Sequence, residues 1–360
     1  MTAALLTPIA LHDGRIRVVI ENIRPSVDGG RFPVKRVVGE SLVVEADCFA
    51  DGHDVIVCEL LWRRAGADAW TRQRMQALGN DRWRAVRVVE SLGDWQYTVQ
   101  AWVDPFLSWR HDFERRIDLD DVRVAAKGGA ALIEQAAARA GSGAEAGLLM
   151  AWAAELKAAL AAEASLEALK ALGLDELRGQ MAQRHPDQQH RLVHHPVHPV
   201  TVERERARFS SWYEFFPRSA AGDGVRHGSF TDCEAWLPYV QRMGFDVLYF
   251  PPIHPVGRDR RKGRNNSLQT VVDDVGSPWA VGAAEGGHDA ILSELGTLDD
   301  FKRLIGRAHD HGMEIALDIA FQCAPDHPWV KDHPQWFKAR ADGSIQYAEN
   351  PPKKYQDIYP

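Results

Sequence analysis

MEIALDIAFQCAPDHP, from Met313 to Pro328, is the stretch of sequence that decides the fold. Its short apolar run lacks a helical period and is bounded by polar and proline residues, which favours a strand buried on both faces. The run ends at Asp318, and the exit of such a strand is where a parallel α/β barrel keeps its chemistry. The alternative interpretation is that Asp318 only caps a turn or anchors a neighbouring loop.

Two strand–helix units lead into this strand. FSSWYEFFP (209–217) and FDVLYFPPIHP (245–255) are predicted strands, whereas FTDCEAWLPYVQRMG (230–244) and TLDDFKRLIGRAHDHG (297–312) are predicted helices. This alternation predicts a parallel sheet with right-handed crossovers. A complete barrel takes about 250 residues. We therefore expect residues 207–360 to hold the first β/α units of a (β/α)8 barrel that is incomplete within this chain.

Both predicted helices carry signals at their ends. Thr231 and Asp232 mark the start of the first helix, and Thr297 marks the start of the second. Gly244 and Gly312 follow the last turns, where a glycine commonly ends a helix.

Residues 1–122 show a different pattern, with short alternating runs separated by turn residues such as Asp28-Gly29 and Gly79-Asn80. The predicted strands are RIRVVIENI (15–23), ESLVVEADCFA (40–50), VIVCELLWRR (55–64), RWRAVRVVE (82–90) and WQYTVQAWVD (95–104). This spacing predicts an N-terminal β-sandwich of immunoglobulin-like type. Its tryptophans offer a sugar-stacking platform as one interpretation and core packing as the other. They are Trp62, Trp70, Trp83, Trp95, Trp102 and Trp109.

Residues 123–183 are rich in Ala, Leu, Glu and Lys and predict a small α-helical insert. One helix face is apolar and is expected to pack against the body or against a second subunit. Residues 184–206 are rich in Pro, His and charge and are interpreted as a linker. His194, His195 and His198 lie there, but prolines and the lack of acidic or cysteine partners favour a solvated loop over a metal site.

The totals exclude several classes of function. A net charge of -7 argues against general affinity for nucleic acid. The four cysteines have neither zinc nor C-x-x-C spacing, which favours free thiols in a reducing compartment. The first residues lack the features of a signal peptide, and no stretch has the length of a membrane span. We therefore expect a soluble cytoplasmic protein without a bound metal or cofactor.

Two loops carry candidate chemistry. The loop after the second barrel strand contains a basic run that includes Lys262, followed by Asn266. Such a run is either a solvated surface or an anion site, where Lys262 meets a phosphate as a point charge. The segment after the third strand places amide, ammonium, phenol and carboxylate groups within eight residues, at Asn350, Lys353, Lys354, Tyr355 and Asp357. Lysine, amide and phenol donors suit a phosphate, whereas the carboxylate of Asp357 suits a sugar hydroxyl.

Several segments in this order closely resemble the α-1,4-glucan:maltose-1-phosphate maltosyltransferases, in family 13 of the glycoside hydrolases. The segments are RIRVVIEN, RPSVDGGRFPVKRVVGE, RFSSWYEFFPRS, FDVLYFPPIHPVGR, RKGRNNSL, DVGSPWAVGAAEGGH, ELGTLDDF, ALDIAFQCAPDHPW and ENPPKKYQDIYP. The resemblance covers nearly the whole chain and is weakest in the helical insert. GRNNSL and NPPKKYQDIYP are specific, because a generic amylase does not carry them.

The resemblance implies substrate-binding roles for residues of these loops. Those matching Lys262, Gln322 and Asp357 contact the maltosyl phosphate in the family, and those matching Asn350, Lys353 and Tyr355 help to build the phosphate pocket. Asn266 and Asp318 are further candidates. The chain departs from the usual first amylase motif, D-x-x-x-N-H, because Gln322 and Cys323 replace its Asn and His. The implied partners are maltose 1-phosphate, an α-1,4-glucan and a second copy of the chain in a homodimer.

The resemblance also implies catalytic residues that this chain lacks. The nucleophilic Asp and the acid/base Glu are expected on the fourth and fifth barrel strands, beyond Pro360, so no catalytic residue is assigned within the chain. We therefore expect residues 1–360 alone to be an inactive part of a longer maltosyltransferase. The alternatives are a non-catalytic glucan-binding or dimer-scaffold protein, and an amylase-like hydrolase.

Overall fold

A computed structural model describes residues 13–360, so the expectation about a signal peptide lies mostly outside the described residues. The chain divides between Arg208 and Phe209 into two compact units. Among residues 13–360, none of the helices combines the length and the apolar character that crossing a bilayer requires.

The first unit contains two β-sheets. Its strands are β1 Val18–Arg24, β2 Val34–Val37, β3 Ser41–Ala50, β4 Ile56–Arg64, β5 Thr71–Arg74, β6 Gln76–Gly79, β7 Arg82–Val88, β8 Gly93–Val103, β9 Leu192–Val193 and β10 His198–Glu203. One sheet has the order β1-β3-β7-β6, and the other has the order β2-β10-β8-β4-β5, with β9 beside β8. All pairs are antiparallel except β2 with β10, which is parallel.

A hydrophobic core fills the space between these two sheets. Alternate residues of β3 point inward, where Leu42 and Val44 meet Leu60 and Val99 from the opposite sheet. This period of two residues is what the sequence predicted, and the β-sandwich is confirmed. Trp62 and Trp102 are buried, and Trp95 stacks on Trp62 at 5.2 Å between ring centroids. Trp70 lies beneath the Arg63 guanidinium at 4.1 Å, and this packing favours the core interpretation of the tryptophans over a sugar platform.

Five helices follow β8, and they begin earlier than residue 123. They are α1 Pro105–Arg115, α2 Leu119–Ala140, α3 Ala144–Ala161, α4 Leu166–Gly173 and α5 Glu176–Gln183. The Asp104 carboxylate accepts the Leu107 N–H and caps α1, with Pro105 in the first turn. The Asp-Pro pair is a helix-start signal that the predicted boundary overlooked. In α3, Leu149 and Trp152 are buried, as the apolar stripe indicated, whereas Leu148 is exposed.

The linker prediction for residues 184–206 is wrong in its second half. Residues 198–203 form β10, which pairs with β2 on one side and with β8 on the other. His198, Val200 and Val202 point into the sandwich and are buried. The His and Pro content concealed this alternation, because Pro199 sits at an outward position of the strand.

The second unit is built around three parallel strands, in the order β11-β12-β13. Its elements are β11 Trp212–Glu214, α6 Phe230–Arg242, β12 Val247–Phe250, α7 Leu298–Asp310, β13 Glu314–Leu317, α8 Pro328–Asp332, β14 Ala348–Asn350 and β15 Lys353–Tyr355. A core of apolar residues, including Phe230, Leu237, Phe250 and Leu304, packs α6 and α7 against the sheet. The predicted beginning of a β/α barrel is therefore confirmed.

Capping explains where the two crossover helices begin and end. Ser229, one residue before α6, forms a capping box with Asp232, so the helix cap lies two residues before the predicted Thr231. Thr297 forms the same reciprocal pair with Asp300 at α7, as expected. Gly244 and Gly312 follow the two helices with positive φ, which is the backbone conformation that a C-terminal glycine supplies at low cost.

Candidate functional site

The loops after β11, β12 and β13 all leave the sheet at the carboxyl ends of parallel strands, which meet at one edge. A cleft of about 700 Å³ lies between the loop after β11 and the loop after β12. Residues 218–219 and 224–227 form one wall, and Lys262, Asn266 and Trp279 contribute to the other. The second unit thus contains a cavity at the edge where the sequence places its candidate residues.

Lys262 and Asp357 form a buried charged pair. The Lys262 ammonium lies 4.0 Å from the Asp357 carboxylate, and both side chains are at most 5% exposed. The same ammonium donates to the Lys354 carbonyl at 3.4 Å. Burial raises the pKa of Asp357, and the neighbouring Lys262 opposes that rise. The Asp357 oxygen that faces Lys262, Oδ1, is buried and has no hydrogen-bond partner among the described residues.

The basic run around Lys262 does not form one anion cradle. The Arg258 guanidinium pairs with Glu285 at 2.8 Å in an exposed position. The Arg261 guanidinium donates to three backbone carbonyls at 2.7–3.0 Å and therefore holds the loop together. Arg264 is exposed at the wall of the cleft. Lys262 is the buried cation of this run. It therefore differs from Arg258 and Arg264, which are exposed, and from Arg261, which holds the loop together.

The segment after β13 ends in a hairpin made of β14 and β15. Asn350 pairs with Lys353 in its register, and both are exposed, whereas Tyr355 is half-buried. The Lys354 carbonyl that receives Lys262 belongs to this hairpin. The structure therefore brings Lys262, Asp357 and the backbone of the hairpin together, but the side chains of Asn350 and Lys353 face solvent.

Trp279 forms hydrogen bonds with two candidate residues, Asp318 and Gln322, and was not predicted from the sequence. Its indole N–H donates to the Asp318 carboxylate at 2.8 Å, and its carbonyl accepts from the Gln322 amide at 3.1 Å. Asp318 therefore anchors a neighbouring loop, as the alternative interpretation stated. The burial of Tyr249, with its hydrogen bond to Asp318, raises the pKa of that phenol. The only local signal for Trp279 is that it is the one Trp, Tyr or Phe among residues 251–290 of a long loop.

Arg218, in the loop after β11, is a second residue that the sequence reasoning missed. Its guanidinium lines the cleft and an adjoining cavity of about 270 Å³. One N–H donates to the Gly276 carbonyl at 2.8 Å, and burial lowers the pKa of the guanidinium. It lies over the Phe216 ring at 5.6 Å. The cleft therefore carries positive charge on both walls.

The second unit also contains a cluster of three potential metal ligands. His288, Cys323 and His327 place ligand atoms within 4.8 Å of one another. However, the Trp329 N–H donates to His327 Nδ1, and His327 Nε2 lies 3.2 Å from His288 Nδ1. Burial raises the pKa of the Cys323 thiol to about 11. Because the lone pairs are already engaged and the thiolate is disfavoured, we assign no metal to this cluster.

Two family models match the chain in succession. The model described as α-1,4-glucan:maltose-1-phosphate maltosyltransferase, domain N/S, matches residues 16–204. The model described as α-amylase, catalytic domain, matches residues 214–359. The first match covers the β-sandwich with its helices, and the second covers the partial barrel and the hairpin.

Curated relatives carry the same name. The α-1,4-glucan:maltose-1-phosphate maltosyltransferase of Myxococcus xanthus is 49% identical to this chain, over 95% of this chain and 52% of the relative. The one from Chlorobaculum tepidum is 48% identical, over 99% of this chain and 53% of the relative. The one from Pseudomonas aeruginosa is 44% identical, over 98% and 52%. The chain thus spans about half the length of the curated relatives it matches.

Among solved structures, an α-amylase from Lactobacillus plantarum matches 43% of this chain and 32% of its own, at 33% identity and a TM-score of 0.33. The domain N/S model spans more than half of the chain. The curated relatives match this part and also the remainder of the chain. The chain therefore belongs to the α-1,4-glucan:maltose-1-phosphate maltosyltransferase family.

Proposed function

We propose that this chain supplies the donor-binding part of a glycosyltransferase of α-glucan synthesis. The enzyme transfers maltosyl units from α-maltose 1-phosphate to the non-reducing end of an α-1,4-glucan and releases phosphate. The observation that carries the proposal is the buried Lys262–Asp357 pair beside the β14–β15 hairpin, in a chain of this family. The names of the curated relatives support the choice of donor and acceptor.

The chemistry of the pair supports a sugar phosphate as its ligand. An ammonium excluded from water forms strong charge-assisted bonds with anionic or hydroxyl oxygens. The unpartnered oxygen of Asp357 suits a sugar hydroxyl as donor, because a buried carboxylate without a partner is costly. We propose that Gln322 contributes to the same sugar contacts, and that Asn350, Lys353 and Tyr355 close over the phosphate when the donor binds.

We propose a retaining double displacement for the transfer. An Asp attacks the anomeric carbon and expels phosphate, and a Glu then activates the glucan hydroxyl that attacks the maltosyl-enzyme. Both residues belong to barrel strands that follow β13 in the family. The two carboxylates described at this edge are engaged otherwise, since Asp318 holds Trp279 and Asp357 lies beside Lys262. Residues 1–360 alone are therefore expected to bind donor and to release no phosphate from it.

We further propose a homodimer that uses the helices of the first unit and resides in the cytoplasm. Large apolar side chains are exposed on or beside these helices, namely Ile117, Val124, Leu148, Met150 and Leu177. A second copy of the chain would cover such a surface. All four cysteines are free and buried, which suits a reducing compartment. Sedimentation at micromolar concentration tests the assembly, and a monomeric mass would contradict it.

The test of the donor site is a calorimetric titration of the 360-residue chain with maltose 1-phosphate. Lys262→Met should weaken binding by about 10- to 100-fold, because a charge-assisted bond contributes roughly 1.5–3 kcal/mol. The matched control is Lys338→Met, which removes an exposed lysine of the same unit and should leave the affinity unchanged.

Two outcomes would contradict the proposed function. One is equal affinity of the unaltered chain for maltose and for maltose 1-phosphate, which would favour an amylase-like hydrolase. The other is unchanged binding by Lys262→Met, which would place the phosphate elsewhere. Phosphate release by the unaltered chain would overturn the expectation that it is inactive on its own.

A further inference from the structure

A chain of hydrogen bonds in the second unit runs through two histidines, the half-buried His288 and the buried His327. The Trp329 backbone N–H donates to His327 Nδ1 at 3.0 Å. His327 Nε2 lies 3.2 Å from His288 Nδ1, and His288 Nε2 lies 2.6 Å from the Ala320 carbonyl. The chain thus connects the loop after β12, which carries His288, to the segment after β13.

The partners at the two ends fix both tautomers. A carbonyl only accepts, so His288 Nε2 carries a hydrogen and His288 Nδ1 is a bare acceptor. A backbone N–H only donates, so His327 Nδ1 is bare and its hydrogen is on Nε2. That hydrogen points at His288 Nδ1, and each ring is satisfied in its neutral form. An added proton has to displace one of these hydrogen bonds.

The packing around the pair leaves it no room to rearrange. A Cβ on Gly282 would lie 1.9 Å from the His327 ring, and a Cβ on Gly287 would lie 2.1 Å from His327 Nε2. The Trp329 ring stacks on His288 at 4.7 Å with an interplanar angle of 9°. The backbone at Gly282 and Gly287 therefore confines the His327 ring, and the Trp329 ring covers one face of His288.

The far end of the chain is the middle of the segment 318–322. Its first and last residues, Asp318 and Gln322, hold Trp279 by the indole N–H and by the carbonyl. Trp279 lines the cleft. Residues of this one segment thus have two roles. The Ala320 carbonyl accepts a hydrogen bond from His288, and Asp318 and Gln322 bind Trp279 of the cleft wall.

We propose that His288 and His327 are positioning residues, which as a neutral pair of fixed tautomers hold the segment 318–322, and with it Trp279, in the arrangement that shapes the cleft for donor. This inference rests on the proposed function, because it takes the ligand of the cleft to be a sugar phosphate. It assigns the pair no contact with substrate.

Burial favours the neutral state of His327, and the charged groups that face this ring act in both directions. Burial, followed by the adjacent His288, lowers the pKa of His327 to about 4. Asp289 and Asp326 oppose this change, and His254 adds to it. The Asp326 carboxylate is itself occupied by the Arg258 backbone N–H at 2.9 Å.

The test compares His288→Phe, His288→Asn and His288→Gln in the 360-residue chain. Phe keeps the stack and loses the donor, Asn is polar but too short to reach Ala320, and Gln can restore the hydrogen bond to that carbonyl. The control is His309→Phe, at an exposed position of α7. Amide hydrogen exchange of residues 318–324 is measured together with the affinity for maltose 1-phosphate.

We expect Phe and Asn to raise exchange at residues 318–324 and to weaken donor binding, each by about fivefold, because one hydrogen bond contributes about 1 kcal/mol. Gln should recover most of both. Faster exchange throughout α6, α7 and the sheet, with unchanged affinity, would reduce the pair to a general stabilising role and overturn the proposal. Equal effects of Gln and Asn would do the same. If the unaltered chain binds no maltose 1-phosphate, the proposed function fails, whereas exchange still decides whether the pair holds the segment.

Discussion

Each unit of the molecule contains a pair of neighbouring histidines, one buried and one half-buried, and the two pairs differ in their hydrogen bonds. In the first unit, the rings of His194 and His198 stack with centroids 5.7 Å apart. In the second, the rings of His288 and His327 lie 5.1 Å apart. Burial lowers the pKa of His198 as it lowers that of His327. Yet neither ring nitrogen of His198 has a partner among the described residues, whereas the second pair is fully bonded.

This difference shows that burial alone does not identify a histidine with a task. His198 stacks on Tyr97 at 5.2 Å between ring centroids and fills space in the core as an apolar ring would. Its unsatisfied ring nitrogens lower the stability of the fold. In contrast, every polar atom of the second pair is directed at a particular partner, and the bonds end on the segment that supports the cleft. We therefore expect that disturbing the bonded pair lowers the free energy of unfolding, whereas replacing His198 raises it.

The largest expected effect comes from crowding the bonded pair. Gly287→Ala places a methyl group against His327 Nε2, where the ideal Cβ position is 2.1 Å away. Neither the backbone nor the buried ring can move far, so we expect the second unit to lose at least about 3 kcal/mol of unfolding free energy. Urea unfolding, followed through amide exchange of α7, measures this loss.

The matched control is Gly306→Ala, in the exposed middle of α7, where a Cβ meets nothing within 4 Å. There alanine should stabilise the helix by up to about 1 kcal/mol. A loss of similar size at both positions would show that the His327 environment is not tight.

Acidification should affect the second unit next most strongly. The pKa of His327 is about 4 in the folded chain, against 6.5 for an ordinary histidine. Between these two pH values the unfolded state binds more protons than the folded state. The contribution of His327 to the free energy of unfolding is therefore fully present above pH 6.5 and decreases as the pH falls towards 4. The interval corresponds to about 3 kcal/mol. Asp357, whose pKa is raised by burial, has the opposite dependence and reduces this loss in the lower part of the range.

The measurement is the urea midpoint of the second unit at several pH values between 7 and 4. His327→Phe should flatten the dependence while lowering stability at neutral pH, because Trp329 N–H and His288 Nδ1 then lose their partner. A variant with the original slope would assign the proton uptake to another group.

The smallest effect is expected from His198→Phe in the first unit. This change removes two buried nitrogens that have no partner and keeps a ring against Tyr97. We expect a gain of about 1 kcal/mol, reduced from the full desolvation cost because the larger ring must fit close to Gly30. Exchange of β10 amides at neutral pH measures it. A loss of stability would show that an ordered water or another partner satisfies His198 in solution.

The sequence was informative where its pattern is local. Period-two alternation located β1, β3, β4, β7 and β8, and helical periodicity with terminal glycines located α6 and α7. β10 was missed because Pro199 and His198 resemble a loop in composition. The interval from Asp104 to Asp118 was assigned to the sandwich, although both aspartates are helix caps.

The candidate site divides in the same way. Lys262 and Asp357 were predicted from loop chemistry and family resemblance, and they lie 4.0 Å apart across 94 residues of chain. Trp279 was missed because its partners, Asp318 and Gln322, are supplied by a different loop. The same applies to His288 and His327, whose tautomers follow only from partners that folding brings together.

The position of β10 has a consequence for how the first unit is organised. β8 ends at Val103 and β10 begins at His198, yet the two are neighbours in one sheet. The five helices are therefore an excursion between adjacent strands. Loop closure becomes only about 0.6 kcal/mol more costly for each doubling of length, so the sandwich tolerates a large, a small or an exchanged excursion at this point. A change in the length of the helical segment therefore adds little to the cost of pairing β8 with β10.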